Sequence, residues 1–310
     1  MDDELMNVTY LTFWGHVDVA KYRYVYFVVI FAVYILIICS NSTIVCLIWI
    51  HKNLHEPMYI FIAALLINSV LLSTTVYPKL LVDFLSEKQI ISYSACLFQF
   101  DIFYSLLSSE FLLLAAMAYD RYVSICKPLQ YPVIMRKTTL CILLPLAWLM
   151  PACQMAVATG LTAKEKLCSH TLQGIFCNNV IYKLQCVIST TRTIHDMIML
   201  VNFAILPVLF ILFTYIRILI ISYRSSREVR KKAAQTCLPH LIVLINFSCL
   251  CTYDVIIVRL ESHIPKIVSL IMSLQVILYH PLFNPIIYGL KMKEIFKHLK
   301  KLFSQAKTKP

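Results

Sequence analysis

Apolar runs long enough to cross a bilayer recur along almost the whole chain, and nothing else in the sequence narrows its fold as much. An α-helix needs roughly 20 residues to span the hydrocarbon core of a membrane. Inside lipid each span must satisfy its own backbone N–H and C=O groups, so runs of this length are helices. Seven can be placed, at residues 24–50, 58–82, 95–125, 140–161, 194–223, 237–260 and 265–290. Charged residues make up only 14% of the 310, against about 25% in a soluble domain. The expected fold class is an all-α membrane protein, a seven-transmembrane helix bundle. Residues 1–23 precede the bundle, 24–290 form it and 291–310 follow it, which leaves no room for a separate soluble domain. Pro145, Pro151, Pro239, Pro281 and Pro285 lie in or at the fourth, sixth and seventh runs, where proline kinks a membrane helix without abolishing it.

A net charge of +12 could point to nucleic acid, but 18 of the 28 basic residues gather in alternate loops. Lys52, Arg121, Lys127, Arg136, Lys137, Arg217, Arg224, Arg227, Arg230, Lys231, Lys232 and the seven lysines from Lys291 onward fall on one side of the bundle. Only Glu56, Asp120, Glu228 and Glu294 of the 16 acids join them. The positive-inside rule makes that side cytoplasmic, with the N-terminus outside and the C-terminus inside. The first run alone would not decide, because Lys21 and Arg23 flank one end and His51 and Lys52 the other. The start Met1-Asp2-Asp3-Glu4 lacks a basic region, so the first span is expected to direct insertion itself. After the seventh run, Ile295, Phe296, Leu299, Leu302 and Phe303 recur at helical spacing between Lys293, Lys297, Lys300 and Lys301. This predicts a short amphipathic C-terminal helix whose partner is anionic membrane lipid. Asn7-Val8-Thr9 is a glycosylation sequon on the outer side, whereas the matches at Asn41 and Asn246 lie within spans.

Polar groups inside the runs are expensive and therefore informative. The third run ends Met117-Ala118-Tyr119-Asp120-Arg121-Tyr122-Val123-Ser124-Ile125-Cys126, and its acid and arginine are expected to pair as a latch. Glu110 stands eleven residues earlier, on about the same helical face. A buried carboxylate demands a partner, a proton or a cation, and Asn41, Asn68, Ser69 and Asn284 are its candidate neighbours. The seventh run ends Pro281-Leu282-Phe283-Asn284-Pro285-Ile286-Ile287-Tyr288, where Pro285 frees carbonyls and makes a bendable joint. Cys96, Cys168, Cys177 and Cys186 lie on the outer, oxidising side, where disulfides form; four cysteines permit three pairings.

Taken together, these motifs closely resemble those of odorant receptors, which are rhodopsin-like, G-protein-coupled, seven-helix receptors. Asp-Arg-Tyr is general to rhodopsin-like receptors, while the Met-Ala-Tyr prefix and the Val-Ser-Ile-Cys suffix mark the odorant branch. Pro57-Met58-Tyr59, the stretch from Lys232 to Leu241 that includes His240, and Pro281–Tyr288 match as well. The second-helix wording Ala63-Ala64-Leu65-Leu66-Ile67-Asn68-Ser69 looks more like fish-type members. The resemblance implies Cys96–Cys177 and Cys168–Cys186 bridges, and an activation set of Asp120, Arg121, Tyr122, Tyr215, His240, Asn284, Pro285 and Tyr288. It also implies a sodium site at Glu110, Asn41, Asn68 and Asn284, and no other cofactor. The second-helix aspartate of that site is missing here, so Glu110 either shares a sodium ion or is protonated against the asparagines. Trp148 matches the fourth-helix tryptophan, for which packing is the expected role.

The ligand site implied lies in the outer half of the bundle, the natural concavity between helices. Its candidates are Phe103, Tyr104, Leu107 and Ser108 on the third helix and Asp196, Met199 and Phe203 on the fifth. Cys251, Thr252 and Val255 on the sixth, with Leu274 and Leu278 on the seventh, complete the set. Phe103 stands where amine receptors carry an aspartate. Asp101, Lys183, Asp196, Asp254 and Arg259 either read a charged odorant or form a solvated rim. The function implied is binding of a small-molecule odorant and activation of a cAMP-raising heterotrimeric G protein at the plasma membrane of olfactory sensory cilia. Alternatives are a rhodopsin-like receptor for another ligand, or a transporter or channel, although no inverted repeat is visible. With four glycines, no phosphate loop and no nucleophile–base–acid set, the sequence does not read as an enzyme.

Overall fold

Each predicted run becomes a helix, and the computed structural model describes residues 9–15, 19–187, 189–223, 227–260 and 266–308. The spans are α1 (Val19–Ile50), α2 (Pro57–Leu85), α3 (Tyr93–Cys126), α5 (Lys137–Ala163), the joined α6 (Thr190–Leu200) and α7 (Leu206–Tyr223), α8 (Arg227–Leu260) and α9 (Lys266–Lys291). A one-turn α4 (Tyr131–Ile134) separates the third and fourth spans, and α10 (Lys293–Thr308) follows the seventh. Among the described residues, the first five spans are each long and apolar enough to cross a membrane. Large apolar side chains also cover the outside of the bundle: Trp49 is 82% exposed and Leu219 67%. Water would penalise such a surface and lipid accepts it. The chain is a multi-pass membrane protein.

Local chemistry sets the helix ends. Pro57 opens α2, where its missing N–H costs nothing. Ser92 caps α3 by accepting from the Ala95 N–H at 3.3 Å, and Ser189 caps α6 by accepting from the Arg192 N–H at 3.3 Å. Between α6 and α7 the helix loosens over Val201–Ile205 into a wider π turn, two residues before Pro207. A proline cannot donate to the preceding turn, and an extra residue there relieves its ring. α3 is the central helix, touching α2, α5, α7 and α8.

Two departures from the expected boundaries matter. The fifth helix starts at Thr190 rather than 194, and the sixth at Arg227 rather than 237, so part of the basic stretch is helical. At the opposite end of the bundle from the latch, a three-stranded cap appears that periodicity did not predict. β1 (Tyr10–Phe13) pairs antiparallel with β2 (Ile90–Ser92) and parallel with β3 (Thr171–Leu172). Leu11 and Phe13 alternate inward into a second apolar cluster with Ile91, Cys96, Leu172 and Cys177. Gly15 follows β1, and a Cβ there would stand 2.5 Å from the Gly174 backbone. Only glycine allows that approach. Asn7 and Arg224 lie outside the described residues.

Candidate functional site

The cap end of the bundle contains a cavity of about 700 Å³ between α3, α5, α6, the π turn and the loop after β3. Its floor is a stripe along α3: Phe100, Tyr104, Leu107, Ser108 and Phe111, spaced three and four residues apart. Phe203 and Ala204 from the π turn, Met199 and Leu200 just before it, and Cys251 from α8 form the apolar wall. Asn179, Lys183, Gln185 and Asp196 gather the polar groups elsewhere on the lining. Such a space suits a small, mostly apolar ligand with a polar end.

Loop and helices are tied together around this space. Disulfides join Cys96 to Cys177 and Cys168 to Cys186. Gln99 Nε2–H donates to the Thr75 carbonyl at 2.9 Å while its Oε1 accepts from the Cys177 N–H at 3.0 Å. The Tyr104 hydroxyl accepts from the Asn179 N–H at 3.0 Å. Arg192, fully buried, donates to Gln185 Oε1 at 3.0 Å, lies 3.6 Å from Asp196 and stacks on Tyr182 at 3.8 Å. That stack is a cation–π contact in a desolvated place.

Of the proposed ligand residues, Tyr104, Leu107, Ser108, Asp196, Met199, Phe203 and Cys251 meet at this cavity. Phe103 does not line it. Its position next to Tyr104 turns it about 100° away, and it packs on Phe176 at 5.1 Å. Leu274 and Leu278 pack against the main core instead, and Thr252 is exposed with its hydroxyl donating to the Ser248 carbonyl at 2.7 Å. Val255 falls on α8, but its side chain, like those of Asp254 and Arg259, lies outside what is described. Asp101 accepts from the Thr159 hydroxyl at 2.9 Å and is absent from the lining.

Halfway along α3 a polar cluster replaces the apolar packing. Glu110 is fully buried; its Oε2 accepts from Asn68 Nδ2 at 2.9 Å and its Oε1 from Asn284 Nδ2 at 3.1 Å. Asn284 also donates to Ser69 Oγ at 3.0 Å, and Asn41 donates to the Pro281 carbonyl at 3.0 Å, the acceptor next to the joint. Two members were not anticipated. His280 Nε2 lies 2.8 Å from Glu110 Oε1, and Trp148 Nε1–H donates to Asn68 Oδ1 at 3.0 Å. Packing alone therefore does not describe Trp148.

At the other end, Asp120 is fully buried and accepts from Arg121 Nε at 2.9 Å and from its Nη2. The Tyr131 hydroxyl donates to the second Asp120 oxygen at 2.9 Å. Burial, and then the Asp120 charge, push the Tyr131 phenol far above its usual range and keep it a donor. Tyr122 is half-buried against the main apolar core, and the buried Tyr215 hydroxyl has no hydrogen-bond partner among the described residues. His240 Nδ1 and the Tyr288 hydroxyl meet at 3.3 Å, joining α8 to the foot of α9 just beyond the buried Pro285.

The chain matches the olfactory receptor family over residues 30–306. Human olfactory receptor 11A1 is 33% identical over 305 residues, covering 97% of this chain and 96% of that protein. Human olfactory receptor 2G6 is 35% identical over 280 residues, covering 87% and 85%. The fold is similar to the crystal structure of squid rhodopsin, with a TM-score of 0.73 over 94% of this chain and 88% of that one at 18% identity. With its seven-helix bundle and a match over nearly its whole length, the chain belongs to the olfactory receptor family.

Proposed function

We propose that the chain is an odorant receptor in which a small molecule enters the cavity at the cap end and releases the Asp120–Arg121 latch at the other. One observation carries this reading: α3 lines the cavity with Tyr104, Leu107 and Ser108, holds the Glu110 cluster below it, and ends in the latch. Three sites on one rigid helix respond to one movement. The ligand must bind the released state better than the latched one, because a shift of population requires differential affinity.

The loop charges orient the molecule, with the cap outside and the latch facing the cytoplasm. The olfactory-type, cAMP-raising G protein docks against Arg121, the loop at residues 127–137 and the basic start of α8. Asn284 and Pro285 supply the joint, while Tyr215, Tyr288 and His240 supply partners against which it moves. Asn7 carries the glycan, and the receptor works at the plasma membrane of olfactory cilia. The test is a screen of amino acids, organic acids, amines, bile salts and volatile odorants on cells expressing this receptor with an olfactory-type G protein. A cAMP rise to at least one compound is expected. Ligand-dependent current in cells without any G protein would contradict it.

A further inference from the structure

The receptor resemblance places a sodium ion beside Glu110, but the groups present do not fit one. A hard cation is held by oxygen atoms that turn their lone pairs toward it. Around this carboxylate the structure sets nitrogen donors: Asn68 Nδ2 at 2.9 Å, Asn284 Nδ2 at 3.1 Å and His280 Nε2 at 2.8 Å. Asn41 Oδ1 and Asn284 Oδ1 are buried without a hydrogen-bond partner among the described residues. Yet the amide nitrogens of Asn68 and Asn284 are the atoms set against the carboxylate, and these amides cannot be turned over to offer oxygen there instead. Asn68 Nδ2 also donates to the Leu106 carbonyl at 3.0 Å while its oxygen accepts from Trp148. Asn41 Nδ2 donates to the Ile37 and Pro281 carbonyls at 2.8 and 3.0 Å. Reversing either would set oxygen against oxygen, and reversing Asn284 would set its oxygen against Glu110. Ser69 Oγ already accepts from Asn284 and donates to the Leu65 carbonyl at 3.1 Å.

The imidazole itself is locked in place. Its side chain is 1% exposed, and the Phe247 ring lies 4.5 Å from it. Asn284 Nδ2 also lies 3.3 Å from His280 Nε2, but the shorter contact to the carboxylate assigns the ring proton to Nε2. We propose that His280 replaces the bound cation: its ring nitrogen holds Glu110 from α9, and the bundle folds and switches without sodium. The arrangement also ties the central helix to the turn before Pro285, a link that an exchangeable ion would supply only when bound.

The inference takes the place of the ion from the receptor reading, but a stability measurement tests it, so a failed odorant screen leaves it standing. The full chain is purified in lipid nanodiscs, and its Tm is measured in about 150 mM sodium chloride or choline chloride at equal ionic strength. The wild-type Tm is expected to differ by less than about 1 °C between the two salts. His280→Asn opens the space, frees one carboxylate oxygen and adds an amide oxygen. It is expected to gain a sodium-specific rise of about 3 °C, as binding to the folded state alone requires. A rise of that size in the wild type, abolished by Glu110→Gln, would overturn the inference whatever the variant does. A His280→Asn protein that folds yet stays indifferent to sodium would overturn the role given to His280.

Discussion

Trp148 and Asn68 stand 80 residues apart in sequence, yet one hydrogen bond of 3.0 Å joins them in the middle of the bundle. In apolar surroundings such a bond is worth more than its area of packing, because either partner alone would be left unsatisfied. A double-mutant cycle of Trp148→Phe with Asn68→Ala should give a coupling of about 1 kcal/mol in thermal unfolding. Zero coupling would return Trp148 to packing alone. Arg192 offers a second check: Arg192→Met keeps the bulk and loses the contacts to Gln185, Asp196 and Tyr182. It should cost about 2 kcal/mol, since Gln185 stays buried without its donor and the cation–π contact is lost. At this scale the sequence was readable where a residue type is costly in lipid. Glu110, Asp120 and Arg121 declared themselves by their charge, and Asn41, Asn68 and Asn284 followed from Glu110's need for partners. His280 did not, because a lone histidine in an apolar run carries no spacing signal until the fold sets it against a carboxylate.

At the scale of elements, periodicity located the membrane helices because one long run makes each. The cap was illegible for the opposite reason. β1 spans four residues, Tyr10–Phe13, and its partners, β2 and β3, lie far along the chain. Gly15 is the position where this can be tested. Gly15→Ala would drive a methyl group into the Gly174 backbone, where no flexible side chain can yield. A loss of about 1–3 kcal/mol in unfolding stability is expected, with the cap displaced; an unchanged Tm would show that the cap is not held there. The amphipathic α10 was legible from its spacing, but its anchoring was not. The His298 ring lies 3.8 Å from that of His51, tilted 44° to it, and its Nε2 accepts from Asn53 Nδ2 at 3.2 Å. Burial, and then His51, lower its pKa below the ordinary 6.5. The folded form therefore resists protonation, so this stability is fully present above about 6.5 and is lost as the pH falls through the lower folded value. An NMR titration of the His298 ring should show a midpoint below that of a free histidine; a midpoint at or above it would remove the pH dependence.

On the scale of the whole molecule, α3 runs from a cavity of about 700 Å³ at one end to a buried acid–arginine pair at the other. Neither end is informative alone, since bundles enclose cavities and bury ion pairs for structural reasons. In the proposed switch the two are linked by the shared helix and its hydrogen bonds to α9 through Glu110 and Asn284. The bundle, its span count and both ends of α3 could be read from apolar length and misplaced charge. Of the loop that covers the cavity only Lys183 was named, because Asn179 and Gln185 reach it only after the disulfides fold the loop back. The most direct test is the cAMP dose–response of the expressed receptor to an active compound from the screen. It is read beside Arg121→Ala and the cavity-filling Ala204→Trp, each matched for surface expression. Both variants are predicted to lose about tenfold or more in response. A full response surviving Arg121→Ala, or an unshifted curve in Ala204→Trp, would contradict a cavity that works through the latch.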